Sequence, residues 1–220
     1  MHFLRFLAPI LALIALVSVL PGCSRSHDRS KAEISTNTQT YQIPDTYTTY
    51  TEETGVFSVS YPAEWETTLM NMDMVKTAID SSKSDVSIEA TGILFTARLE
   101  TEYGWRSPSV NIVVQPCPEW AAGFGVDFVA RGVTTLLATK QLITDYHEVE
   151  WTDARVNGRD VVLVEYTGYP AASTTRYHNL MLILLSGKTV WGLNCAVADE
   201  SYSYWATDFQ NIAHSLKVGG

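Results

Sequence analysis

The 220-residue chain carries 24 acidic against 15 basic residues, a formal net charge of −9, and 46% of its residues are apolar. That length suits one domain with a sizeable core. The acidic balance argues against a nucleic-acid binder, which needs clustered Lys and Arg to neutralise phosphates, and gives no attraction to an anionic membrane surface.

In chain order, a positive start (the amino terminus and Arg5) precedes an apolar run from Phe6 to Val19, which closes on Leu20-Pro21-Gly22-Cys23. This is the layout of a secretory signal with a small-residue cut site at Gly22. The run contains Pro9 and falls short of the ~20 apolar residues that a spanning helix needs. The Cys directly after the cut makes the segment resemble a bacterial lipoprotein signal, whose lipobox reads Leu, a small residue, Gly or Ala, then Cys. Pro21 departs from that pattern. The resemblance implies that Cys23 receives diacylglycerol, that a peptidase cuts between Gly22 and Cys23, and that the new amino terminus is acylated. Loss of residues 1–22 removes one base and no acid, leaving 14 − 24 = −10. The chain therefore divides into a signal peptide over 1–22, a lipidated Cys23 with a flexible Ser/Thr-rich tether over 23–54, and a folded domain over 55–220. Acyl chains rather than charge would hold it to the membrane, at about 0.8 kcal/mol per buried CH₂.

The tether reads SRSHDRSKAEISTNTQTYQIPDTYTTYTEET, polar and without period. Its Tyr41, Tyr47 and Tyr50 either dock on the domain or stay solvated, and solvation is the expectation. The domain opens with Phe57-Ser58-Val59-Ser60, alternating as a strand does until Pro62 stops it. Leu69, Met70, Met72, Met74, Val75, Ala78 and Ile79 then recur at helical spacing over Thr67–Asp80, with the methionines read as core filling. Strands are expected over Ile88–Glu100 and Ser109–Gln115, the second ended by Pro116 and Pro118 around Cys117. Trp120, Phe124, Phe128, Val129, Val133, Leu136, Leu137 and Ile143 trace an apolar stripe of a longer helix, weakened by Gly123, Gly125 and Gly132.

Two hairpins follow. Glu148–Val156 and Arg159–Tyr166 flank Asn157-Gly158, where both turn positions need positive φ. Arg176–Leu185 and Thr189–Val197 flank Ser186-Gly187-Lys188. The runs Val161–Val164 and Leu180–Leu185 are continuously apolar, which marks strands buried on both faces. Trp205, Phe209, Ile212, Ala213 and Leu216 give a final amphipathic helix, with Ser201 or Ser203 as N-cap. Tight hairpins make the sheet antiparallel, and strands buried on both faces require cover on both. The fold class is α+β, a three-layer α/β/α sandwich around an antiparallel sheet.

The opening FSVSYPAEWE, the strand-then-helix VNIVVQPCPEWAAGF, the hairpin NGRDVVLVEYTG and the exit FQNIAHSLKV together resemble the PsbP-like fold. That superfamily takes in the extrinsic PsbP protein of photosystem II, a Ran-binding nuclear-transport factor and many bacterial lipoproteins of unknown role. The similarity spans Gly55 to Val218 and implies a non-enzymatic binding or assembly protein. It transfers no functional residue, because the matching positions build the fold.

No nucleotide loop, Gly-x-Ser-x-Gly elbow or CxxC pair is present. His147, Glu148 and Glu150 could donate to a metal, but on a strand 148 and 150 share a face while 147 points away, so a solvated strand end is expected. His178 and His214 read as core or surface histidines. Cys117 and Cys195 are either a disulfide of an exported protein or two separately buried thiols. Tyr103, Trp105 and Arg106, in a turn-rich connection, are the candidate protein-binding residues, being of the types that anchor interfaces. Tyr202-Ser203-Tyr204 is a second candidate, where capping and packing are expected instead. Neither a metal nor another cofactor is implied. The expectation is a lipid-anchored, non-catalytic module that binds an envelope protein. A carrier of a small apolar ligand or metal, and an enzyme with an unrecognised cleft, are the alternatives.

Overall fold

The computed structural model describes residues 41–53, 55–67, 92–100, 107–139, 142–171 and 173–219. Gly22 and Cys23, the methionine-rich helix expected beyond Thr67, and the trio Tyr103, Trp105 and Arg106 lie outside the described residues.

The elements in order are β1 (Tyr47–Thr51), β2 (Phe57–Pro62), β3 (Glu66–Thr67), β4 (Gly92–Arg98), β5 (Ser109–Pro116), α1 (Glu119–Ala122), α2 (Gly125–Thr139), β6 (Ile143–Val156), β7 (Arg159–Pro170), β8 (Tyr177–Ser186) and β9 (Thr189–Ala198). A 3₁₀ turn at Asp199–Ser201 leads into α3 (Tyr202–Ser215), and β10 (Lys217–Val218) ends the chain. Seven strands form one antiparallel sheet in the order β3-β4-β5-β9-β8-β7-β6, and β1-β2-β10 form a second, smaller one.

The local turn chemistry behaves as the sequence requires. Asn157 (φ 49°) and Gly158 (φ 82°) both take the left-handed region between the paired Val156 and Arg159, the type I′ pattern that matches strand twist. The β8–β9 turn needs only Gly187 (φ 60°) there, as a type II′ turn does.

Side chains alternate across the large sheet and build two cores. One face carries Val162, Val164, Met181 and Ile183 under Val129, Val133 and Leu137 of α2. The other carries Val161, Leu163, Leu180, Leu182 and Leu193 under Phe209 and Ile212 of α3 and Phe57 and Val59 of β2. The continuous apolar runs in β7 and β8 are thus buried on both sides. One outer layer is helical, while the other shares its cover between α3 and the small sheet.

Three expectations change. The segment 23–54 is not tether throughout, because Tyr47–Thr51 pairs antiparallel with β2, register Tyr47 to Pro62. Its tyrosines dock: the Tyr47 hydroxyl donates to Asp208 Oδ1 at 2.5 Å, Tyr50 packs on Phe57 and Phe95, and Tyr41 stacks on His214 with ring centroids 3.5 Å apart. A polar composition hid this because only Tyr47 and Tyr50 of the strand are partly covered and its three threonines face water. Second, the long helix is broken at Gly123–Phe124, where Gly125 (φ 85°) turns the chain, and Ile143 begins β6 rather than ending the helix. Third, Ser201 occupies the N-cap position of α3 without a side-chain capping bond, since the 3₁₀ turn already leads the backbone into the helix.

Candidate functional site

The broken helix has a consequence for its aromatic stripe. The spacing of Trp120, Phe124 and Phe128 places them along one side, but that side faces solvent, with exposures of 53%, 67% and 36%. The buried stripe of α2 is a separate one: Val129, Val133, Leu136 and Leu137. The three rings touch each other instead of the core. Phe124 lies 4.8 Å from Phe128 between centroids, and Trp120 meets Phe128 edge-on at 6.2 Å. Leaving such rings in water forgoes on the order of 1.5–3 kcal/mol apiece. Together they make an exposed apolar cluster, as opposed to a single exposed apolar residue. Lys188 pairs with Glu119 at 3.1 Å beside it. One turn along α2 from Phe128, Arg131 lies over the Trp151 ring of β6 at 3.3 Å and reaches Glu148 at 3.4 Å.

The opposite layer holds the densest group of titratable side chains. His178 sits between two carboxylates, Nε2 at 2.7 Å from Glu165 Oε1 and Nδ1 at 2.9 Å from Asp199 Oδ1. Its ring stacks on Tyr202 of α3 at 3.4 Å and 2°. Burial and then the Glu165 carboxylate it bonds push the Tyr202 phenol well above its ordinary range. Arg176 completes the network with Asp145 at 2.6 Å, Asp199 at 3.5 Å and the Thr167 hydroxyl at 2.7 Å. Each carboxylate here has a hydrogen-bond or ion-pair partner, and among the described residues no nucleophile bonds to the imidazole. The arrangement clamps the ends of β6, β7 and β8 to α3.

His147, Glu148 and Glu150 do not converge. Register shifts between Thr144 and His147, and between Glu148 and Glu150, break the simple alternation of β6. Glu148 serves Arg131, and Glu150 accepts from the Thr152 hydroxyl. Among the described residues, no group of three or more His, Cys, Asp or Glu side chains is placed to hold a metal ion.

Cys117 and Cys195 are free thiols, and the disulfide reading is corrected. Cys195 lies opposite Val110 in the β5–β9 pair and packs in the α3-side core, while Cys117 lies seven positions beyond Val110 in the α2-side core. At roughly 3.3 Å per strand residue that separation is over 20 Å, against the ~7 Å Cα limit of a bridge. Burial raises both thiols above their ordinary range, Cys195 strongly. Tyr202 belongs to the clamp, as packing would have it, while Tyr204 is 77% exposed.

No protein-family model matches the chain, and neither does any curated protein. Among solved structures, the cyanobacterial PsbP (CyanoP) of Synechocystis aligns over 79% of this chain and 93% of its own, at TM-score 0.53 and 14% identity. LpqN of Mycobacterium tuberculosis, described as involved in cell envelope biogenesis, aligns over 80% and 87%, at TM-score 0.50 and 9% identity. The architecture is thus an α+β sandwich on an antiparallel sheet. It is the PsbP-like fold. Among the described residues no helix is long and apolar enough to cross a membrane.

Proposed function

We propose that this chain is an exported lipoprotein whose domain is a non-catalytic docking module for a protein of the cell envelope. One observation carries the reading: the clustered aromatics Trp120, Phe124 and Phe128 stand in solvent on the α2 layer, while the chain enters the domain on the opposite layer, where Tyr41 stacks on His214 of α3. An anchor at Cys23 would therefore hold the α3 side toward the lipid and present the aromatic cluster away from it. The solved structure described as involved in cell envelope biogenesis is in keeping with this setting. Tyr103, Trp105 and Arg106 remain a second candidate contact on sequence grounds.

The test has two arms. Intact mass of protein from its host is expected to show residues 1–22 removed and Cys23 acylated. A photocrosslinking residue at position 124 is expected to give a discrete adduct with an envelope protein, lost on Trp120→Ser. An unmodified Cys23 with the leader attached would sink the anchor, and absence of any adduct from position 124 would sink the docking surface.

A further inference from the structure

The seven-stranded sheet ends at β6, which pairs with β7 alone. This edge is 14 residues long and mostly exposed, whereas the other edge, β3, has two residues. The register tells which backbone groups are free. In a two-residue hairpin the residues flanking the turn, here Val156 and Arg159, exchange both hydrogen bonds, and bonded and non-bonded pairs then alternate. Counting back from Val156, the amides and carbonyls of Ala154, Thr152 and Glu150 face β7, and those of Arg155, Asp153 and Trp151 face outward.

This open edge adjoins the aromatic surface. Arg131 neighbours Phe128 one turn on in α2, and its guanidinium covers the ring of Trp151, an outward-bonding residue of β6. Val149, left without a register partner by a bulge, is 48% exposed on the same edge.

The charge is one-sided. Asp145, Glu148, Glu150 and Asp153 line β6 against Arg155. Asp145, Glu148 and Arg155 are spoken for by Arg176, Arg131 and Asp160. Among the described residues, Glu150 bonds to the Thr152 hydroxyl and Asp153 to the Trp151 indole and neither pairs with a cation; the two stand on opposite faces of the strand, Asp153 on that of Trp151. Acidic side chains and bulges on an edge keep identical edges apart, so a second copy is a poor occupant, whereas a strand of opposite charge is a good one.

We infer that β6 accepts an extended segment of the partner as an eighth strand, with basic side chains meeting Glu150 on one face and apolar ones lying toward Trp151 and Phe128 on the other. Main-chain bonds would give the affinity and alternate side chains the selectivity. This rests on the docking reading above and names the chemistry of its partner.

The probe is a synthetic alternating Lys-Val peptide of about nine residues, long enough to match the outward-facing stretch, with an alternating Glu-Val peptide as control. Hydrogen exchange on the full chain is expected to slow by about tenfold or more at the amides of Trp151, Asp153 and Arg155 when the Lys-Val peptide binds. The Glu-Val peptide is expected to leave them unchanged. Asp153→Pro removes an outward N–H without touching the β7 ladder and should weaken binding by about tenfold or more. Should that variant fail to fold, Glu150→Lys keeps the test, by reversing the preference between the two peptides. Absence of binding at millimolar peptide, or binding with those amides exchanging as before, overturns the inference. Either outcome leaves the position-124 adduct intact if the docking surface itself is right, so the two failures are separable.

Discussion

The two faces of the large sheet are covered in different ways. On one, α3, the small sheet and the N-terminal segment interlock: Ser215 Oγ accepts from the Ser60 amide at 2.8 Å, Asn157 Nδ2 donates to the Leu216 carbonyl at 2.7 Å, and Tyr47 holds Asp208. On the other, α2 fills the core with aliphatics, while Trp120 of α1, Phe124 of the bend and Phe128 of α2 stand outward. The first face is closed by cross-links between distant parts of the chain. Among the described residues, the second is closed by α1 and α2. Under the docking proposal, stability and recognition fall on opposite layers.

The comparison predicts unequal costs for aromatic substitutions. Phe209→Ala, at a fully buried α3 position, should lose about 3–5 kcal/mol in a urea titration, and a loss under 1 kcal/mol would mean that the layer is not the cohesive one. Tyr47→Phe removes the hydroxyl from the Asp208 carboxylate and should cost about 1.5 kcal/mol by the same measurement. The free carboxylate is left part-buried, and no change would show that the N-terminal strand is only loosely laid down. Phe124→Ser, on the open layer, should shift stability by no more than about 0.5 kcal/mol while abolishing partner capture.

Acid should act through the closed layer. Burial lowers the folded-state pKa of His214, beneath Tyr41, from its ordinary 6.5. The neutral ring is therefore the form that the fold prefers. Its contribution is present above 6.5 and is lost as pH falls through the range below it. Urea midpoints at pH 7.5 and 5.5 should differ less in His214→Gln than in the unsubstituted chain. An equal difference would assign the acid sensitivity elsewhere. The smallest effect concerns the thiols: unreduced native protein should react slowly with iodoacetamide, and denatured protein should yield both Cys117 and Cys195. A denatured chain without titratable thiols at these positions would restore the bridge.

What the sequence determined by itself was local or periodic. Asn157-Gly158 and Gly187 announce their turns because each demands a backbone conformation that few residues adopt. The unbroken apolar runs of β7 and β8 announce two covered faces because burial on both sides leaves no position for a polar residue. From those two facts the antiparallel sandwich follows. What the tertiary structure decided was relative placement across layers. The stripe Trp120, Phe124, Phe128 is indistinguishable in sequence from a core stripe, and only the bend at Gly125 directs it to water. Cys117 and Cys195 look pairable until the sheet puts them over 20 Å apart on opposite faces. His178 reads as an ordinary strand histidine until β7 and the 3₁₀ turn bring Glu165 and Asp199 to its two nitrogens. Turn and burial preferences act over a few residues and are written in the chain. Which surfaces meet depends on how whole elements pack, and that is settled only when the core closes.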